Sequence, residues 1–376
     1  MNWDIPLFKI YWDKEDIEAV SDVIRKGMMW TAGPAVKKFE AMIADYVGTK
    51  YCVCFNSGTS ALHAVLLAYD IGRGDEVIVP SFTFVSTCNA PLFVGAKPVF
   101  ADIEEDTLGL DPEDVERNIS KRTKAIIAVH YGGIPCKVEE LREIAKEYGL
   151  LMVEDAAEAF GAEIRGRKVG TFGDAGVFSF CQNKIITTGE GGCAVTNSRE
   201  IYNKFLLLRS HGRREDENYF SSNKSPEYID LGYNFRMSEI VASLGISQIK
   251  KVGDIINKRR KMAEFFLKKL KEVDRVETIL PPEDYFCVYQ LFSVRVKEGK
   301  RDKLMEYLSK EKIMTKIYFK PVHLTYFYRE KLGYRCSLPV TETVSNEILT
   351  LPFYPQIARE EVIRIVEGIK RFFVRG

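Results

Sequence analysis

The chain is poor in histidine, with four in 376 residues and none close to another in sequence, and its eight cysteines include no C-x-x-C pair. That removes the usual zinc spacings, and the expected state of Cys52, Cys54, Cys88, Cys136, Cys181, Cys193, Cys287 and Cys336 is free and buried in a reducing compartment. No metal is expected. An excess of charge of either sign is also lacking, since 54 Lys and Arg stand against 53 Asp and Glu. Neither nucleic acid nor an anionic membrane surface is therefore an expected partner. No apolar run approaches the ~20 residues of a membrane-spanning helix. Met1-Asn2-Trp3-Asp4-Ile5-Pro6 has neither the basic start nor the apolar core of a secretory signal, so a cytoplasmic protein is expected. Two glycine patterns are missing as well: a G-x-G-x-x-G opening a βαβ unit, and G-x-x-x-x-G-K-[ST]. Nicotinamide and P-loop nucleotide sites lose their main support.

What is present is an ordinary globular balance, 46% apolar and 28% charged, in a chain long enough for two domains. Between about 50 and 200, short β-branched runs alternate with amphipathic helical patterns. Strands are expected at 51–55, 76–79, 97–101, 125–129, 150–153, 175–180 and 192–196, with helices at 60–69, 85–94 and 138–148. That alternation predicts an α/β fold with parallel strands, right-handed crossovers and helices on both faces of the sheet. Beyond about 235 the pattern changes. Helices are expected at 238–249, 255–273, 301–310 and 359–373 and a strand at 288–296, which gives a smaller α+β domain. The expected division is 1–248, with the N-terminal segment, and 249–376. The polar, aperiodic stretch 213–228 reads as a loop.

Lys184 is the residue that draws attention. It follows an apolar strand pattern and precedes the turn Thr187-Thr188-Gly189-Glu190-Gly191-Gly192, with no acidic partner within several residues. Taken alone it is a surface lysine in a turn, but partial desolvation would free its amine as a nucleophile or Schiff-base former. Three other stretches fall at strand-to-helix junctions, where open α/β sheets bind ligands. Asn56-Ser57-Gly58-Thr59-Ser60 offers a glycine, hydroxyls and a helix N-terminus, which suit a phosphate or a plain N-cap. Glu154-Asp155-Ala156-Ala157-Glu158 ends an apolar strand in carboxylates. A protonated pyridine nitrogen, an acid/base pair or a metal would each account for them, though a metal lacks a third ligand. Phe84, in Pro80-Ser81-Phe82-Thr83-Phe84, would stack on a flat ring or pack in the core.

Taken in order, Asn56 to Leu62, Gly74-Asp75-Glu76-Val77-Ile78-Val79-Pro80, Glu154-Asp155-Ala156-Ala157 and Lys184 to Gly192 resemble the DegT/DnrJ/EryC1/StrS aminotransferases. Trp30-Thr31-Ala32-Gly33-Pro34, Arg209-Ser210-His211-Gly212 and Gly232-Tyr233-Asn234-Phe235-Arg236-Met237 add to the resemblance, which spans nearly the whole chain. It implies an aspartate-aminotransferase-like fold of type I: a mostly parallel sheet in a large domain, with a smaller C-terminal α+β domain. It also implies pyridoxal 5'-phosphate as cofactor. Lys184 would hold that cofactor as a Schiff base and shuttle the proton to and from substrate carbon. Asp155 would bind the pyridine nitrogen and Phe84 would stack on the ring. Gly58, Thr59, Ser60 and Ser179 would hold the phosphate. Asn234 would reach the phosphate of a neighbouring subunit, which implies a homodimer with shared active sites. Trp30, Tyr318, Lys320 and His323 would line the pocket for a sugar nucleotide.

Where Glu158 stands, many members of that family have His or Gln on the cofactor's ring oxygen. A carboxylate there calls either for a proton on it or for a different direction. A lysine rather than a histidine at 184 favours transamination over the family's dehydratase branch. The expected reaction moves an amine from an amino acid, L-glutamate first, to a keto sugar on a nucleotide. The stretch 183–192 is similar to the perosamine-synthase branch, which acts at C4. A keto-inositol substrate and a non-catalytic regulatory protein on the same fold are the competing readings.

Overall fold

In a computed structural model, residues 3–31, 33–214, 223 and 225–375 are described. The expected loop at 213–228 lies mostly outside them, at 215–222 and 224, as does Ala32 of the Trp30 motif. The chain opens with α1 (Lys14–Lys26) and α2 (Pro34–Val47), followed by β1 (Tyr51–Phe55), α3 (Gly58–Ala68), β2 (Glu76–Pro80), α4 (Val85–Phe93) and β3 (Lys97–Ala101). Next come α5 (Pro112–Arg117), β4 (Thr123–Val129), α6 (Val138–Glu147), β5 (Leu151–Asp155), the short β6 (Glu163–Ile164) and β7 (Arg167–Lys168), β8 (Ala175–Ser179) and β9 (Gly192–Thr196). Helices α7 (Arg199–Arg209), α8 (Glu239–Lys250) and α9 (Val252–Leu270) lead to β10 (Val276–Thr278), β11 (Tyr285–Phe286) and β12 (Phe292–Val296). The chain closes with α10 (Arg301–Lys310), α11 (Pro339–Glu347), β13 (Ile348–Leu351) and α12 (Arg359–Arg375).

Seven strands form one sheet in the order β1-β9-β8-β5-β4-β2-β3. All its pairings are parallel except the two made by β9, which is antiparallel to both β1 and β8. The reason is local. The β8–β9 connection carries Lys184 but no helix, so the chain cannot cross over and must return beside the strand it left. Six strands therefore present their C-terminal ends at one edge, and β9 begins there with Gly192. Both faces are covered: Val53, Val77, Ile127, Val153 and Val177 pack under α3 and α4, and Cys52, Cys54, Phe178 and Val195 under α2 and α8.

The second sheet, β10-β12-β13, is antiparallel and shares a core with α10, α12 and the C-terminal half of α9. Ile5 belongs to this core, paired with Ile313, and the Leu7 carbonyl accepts from Phe353 N–H at 3.0 Å. Residues 4–7 thus lie against the C-terminal unit, where the second sheet offers Ile5 an apolar seat, while Tyr11 and α1 pack on the large unit through Gln248 of α8. We propose that the division near 248/249 otherwise holds, with α9 as bridge: its Ile255 and Ile256 belong to the large core and its Phe266 and Leu270 to the small one. Two cysteines also differ from expectation, since Cys181 is only half-buried and Cys336 is exposed.

Candidate active site

The C-terminal edge of the large sheet gathers most of the residues singled out from sequence. Asp155 is the last residue of β5 and is buried. Its Oδ2 accepts from Thr87 Oγ1 at 2.7 Å and its Oδ1 from Ala157 N–H at 3.2 Å. Burial pushes the carboxyl pKa above its ordinary value, and these two donors, together with the Lys184 charge, pull it back only in part. Thr87 sits in the first turn of α4, with Thr83 Oγ1 at 2.9 Å behind it. Thr87 is not among the residues that the sequence motifs single out. Its signal is a pair of hydroxyls four residues apart astride the start of a helix.

Alternation along β5 sends Glu154 to the opposite face of the sheet from Asp155. There its carboxylate accepts from the N–H groups of Gly170, Phe172 and Gly173 at 2.6 Å each, and His130 Nε2 lies 3.1 Å away. Glu154 is fully occupied in fixing the loop that follows β7. Of the two adjacent acids, only Asp155 faces the junction.

Ser57 caps α3, its hydroxyl accepting from Ser60 N–H at 3.1 Å, while Ser60 donates to Asn56 Oδ1 at 2.7 Å. Helix geometry leaves the N–H groups of Gly58 and Thr59 without intrahelical acceptors. This turn is wedged against the strand ends. A Cβ on Gly58 would lie 3.1 Å from Ser179 Cβ, and one on Gly192 would meet the Gly58 nitrogen at 2.3 Å. The result is a cradle of backbone donors and hydroxyls at a helix N-terminus, suited to a phosphate. Asn234 joins this seat through its carbonyl, which accepts from Asn56 Nδ2 at 3.3 Å.

Phe84 occupies the N-cap position of α4 and is 59% exposed, backed by Phe319 at 6.3 Å between ring centroids. An aromatic face left open one helical turn from the Asp155–Thr87 pair fits a flat cationic ring. The Lys184 side chain is 14% exposed, and its Nζ lies 3.4 Å from Glu158 Oε1. The ion-pair partner missing from the local sequence is thus supplied by another strand end. Glu158 Oε2 accepts from Gly132 N–H at 3.0 Å, so the carboxylate is held between a backbone donor and the lysine.

The four residues expected in a sugar-nucleotide pocket are placed differently from one another. Trp30 is 53% exposed, its carbonyl tied to Glu239 N–H at 3.0 Å. Tyr318 is half-buried, takes Tyr131 OH on its carbonyl at 2.7 Å, and lines a small cavity with Asn183. Lys320 is exposed. His323 is enclosed by protein on the side of Ser81 and Glu342. It is buried with Nδ1 2.7 Å from Ser81 Oγ, its backbone N–H donates to the same oxygen at 3.0 Å, and burial lowers its pKa. A cavity of about 670 Å³ between the starts of β2 and β3 and residues 332–336 contains none of these residues.

A buried carboxylate poised for a cation, an open aromatic face, an anion cradle and a half-buried lysine define the donor set of a pyridoxal-phosphate enzyme. Residues 11–370 match the DegT/DnrJ/EryC1/StrS aminotransferase family, and the chain belongs to it. It is 36% identical over 372 residues to a GDP-perosamine synthase of Vibrio cholerae, covering 98% of this chain and 99% of that one. Among solved structures it is similar to Helicobacter pylori PseC, an aminotransferase involved in the biosynthesis of pseudoaminic acid. The TM-score is 0.93 at 30% identity, over 99% of this chain and 100% of that one. DesV of S. venezuelae, solved in complex with a ketimine intermediate, gives a TM-score of 0.90 at 32% identity, over 99% of each chain. The protein is a pyridoxal-phosphate-dependent aminotransferase of fold type I.

Proposed function

We propose that the chain transfers an amino group from L-glutamate to C4 of a 4-keto-6-deoxy sugar carried on a nucleotide. The observation that carries this reading is the convergence of Lys184, Asp155 with Thr87, Phe84 and the 57–60 cradle on one sheet edge. Similarity to GDP-perosamine synthases supports the sugar-nucleotide substrate class. When bound, pyridoxal phosphate supplies the electron-withdrawing ring through which an amino group is passed. Asp155 would hold the proton on the ring nitrogen, Phe84 would cover one ring face, and Gly58, Thr59, Ser60 and Ser179 would hold the phosphate. Lys184 Nζ would be the point of covalent attachment of the cofactor and, as a free amine, would take the proton from substrate carbon and return it. Glu158, its second oxygen anchored on Gly132, would pair with Lys184 Nζ once the amine has taken up that proton. Trp30, Tyr318 and Lys320 are proposed to meet the substrate.

We propose a homodimer in which Asn234 serves the phosphate seat of the other subunit. Large apolar side chains left exposed on the N-terminal segment and near Asn234 support a second copy as their cover: Ile17, Ile24, Met28, Trp30 and Leu231, the last 74% exposed. No helix among the described residues is long and apolar enough to cross a membrane. We propose a cytoplasmic location.

Two measurements test the reading. Purified protein should be yellow, and Lys184→Ala should lose the chromophore and all amination; amination retained in that variant would sink the assignment of Lys184. Turnover should be compared on GDP-, UDP- and dTDP-linked 4-keto-6-deoxy sugars beside scyllo-inosose, with the new amine located by NMR. Amination of the inosose alone would replace this reading with the keto-inositol one.

A further inference from the structure

Residues 288–291 were expected to begin a strand, but β12 starts only at Phe292. The four preceding residues lie instead against the Gly132–Gly133 turn. Val288 N–H donates to the Gly133 carbonyl and Leu291 N–H to that of Gly132, each at 3.1 Å. Both glycines have positive φ, 60° and 93°. A Cβ on Gly133 would lie 2.8 Å from the Gln290 nitrogen, so only glycine permits this approach. From behind, the buried Arg259 guanidinium donates to the carbonyls of Tyr289 at 3.0 Å and Gln290 at 3.4 Å. Residues 288–291 are thus a short strut, held on two sides.

The strut touches Lys184 by two routes. Gln290 is 3% exposed, and its Nε2 donates to the carbonyl of Asn183, the residue before the lysine. At the other end of the side chain, Lys184 Nζ meets Glu158, Glu158 meets Gly132 N–H, and the Gly132 carbonyl returns to Leu291. The contacts close a circuit: Gln290, Asn183, Lys184, Glu158, Gly132, Leu291. Root and tip of one lysine are referred to the same four residues. A long, buried polar side chain is thereby directed at the carbonyl beside that lysine.

We propose that Gln290 is a positioning residue for Lys184: its amide fixes the root of the lysine relative to the strut that, through Gly132 and Glu158, fixes its tip. The proposal rests on Lys184 being the cofactor-binding lysine. Small displacements of a reacting group cost rate far more than they cost binding, up to about a hundredfold for about 1 Å. Loss of the amide should therefore appear in the rate constant and not in half-saturation.

The test uses full-length Gln290→Met, which keeps the volume and removes the donor, and Gln290→Glu, which keeps the shape, loses the N–H and can pair with Arg259. In the half-reaction with L-glutamate, followed by the absorbance of the lysine-bound cofactor, both should lose about ten- to a hundredfold in limiting rate. The half-saturating glutamate concentration should stay within about twofold, as expected when ground-state binding is untouched. Amide hydrogen exchange on the cofactor-free proteins should speed up across 181–188 and stay unchanged in β4 and β5. A wild-type rate in both variants overturns the proposal, and so does faster exchange spread evenly over the chain. Lys184→Ala serves as the control: a chromophore retained there removes the reading on which the proposal rests, whatever the Gln290 variants do.

Discussion

At the scale of single residues, Asp155 illustrates how far a sequence carries a site. Its place at the end of an apolar strand was legible. That Thr87, 68 positions earlier, donates to it was not, because α4 comes to β5 only through the crossover. Lys184 tells the same story: its stretch marks the lysine, while its partner Glu158 lies on a different strand end. Asp155 also carries a pH dependence. Its carboxyl is buried and its folded pKa is raised above the ordinary 3.8. In the cofactor-free protein the neutral form is favoured on folding. Its stabilising contribution is complete below 3.8 and is lost as pH rises through the folded value. Asp155→Asn has no such loss. The stability gap between the variant and wild type, read from urea unfolding of the cofactor-free proteins, should widen in the variant's favour as pH climbs from about 4, then level off. A gap that is constant with pH would mean that burial leaves this carboxyl unperturbed. Pyridoxal phosphate should abolish the variant's advantage, since a ring cation restores the charge partner that Asn cannot engage.

At the scale of elements, strands of the large sheet were readable from β-branched runs bounded by turns, and most observed boundaries fall within a few residues of those expected. The direction of β9 was not among the expectations, though the short helix-free connection through Lys184 contains it. Helices α1 and α2 went unread despite a signature for the first. Asp13 and Asp16 form a capping box, apolar residues recur at Ile17, Val20 and Ile24, and Gly27 ends the helix with φ 64°. Closure of the phosphate cradle depends on packing between elements, and Gly192 is its tightest point. A Cβ there would meet the Gly58 nitrogen at 2.3 Å and the Ser57 carbonyl carbon at 2.6 Å, all backbone and unable to swing aside. Gly192→Ala should cost about 1–3 kcal/mol or more of stability, as overpacking does, and push the start of α3 off the strand ends. Titration with pyridoxal 5'-phosphate and with unphosphorylated pyridoxal separates the two effects. Affinity for the phosphorylated form should fall while that for pyridoxal stays. An equal fall in both would remove the 57–60 turn from phosphate binding.

At the scale of the whole molecule, assembly has a decisive test because the proposed site is built from two chains. Lys184 would act with the cofactor of its own subunit, whereas Asn234 would act on that of the neighbour. A dimer formed from one Lys184→Ala and one Asn234→Ala chain then has unequal sites. One site contains both defects, since the subunit without its lysine also receives the altered residue 234. The other has its own intact Lys184 and receives an intact Asn234. Co-expression of two impaired chains in equal amounts gives heterodimers as half of the population, each with one whole site of two. Amination should recover to about a quarter of the wild-type level, from random pairing in a two-fold assembly. If Asn234 serves its own subunit instead, every site carries one defect in any mixture. The level then stays at the mean of the two variants.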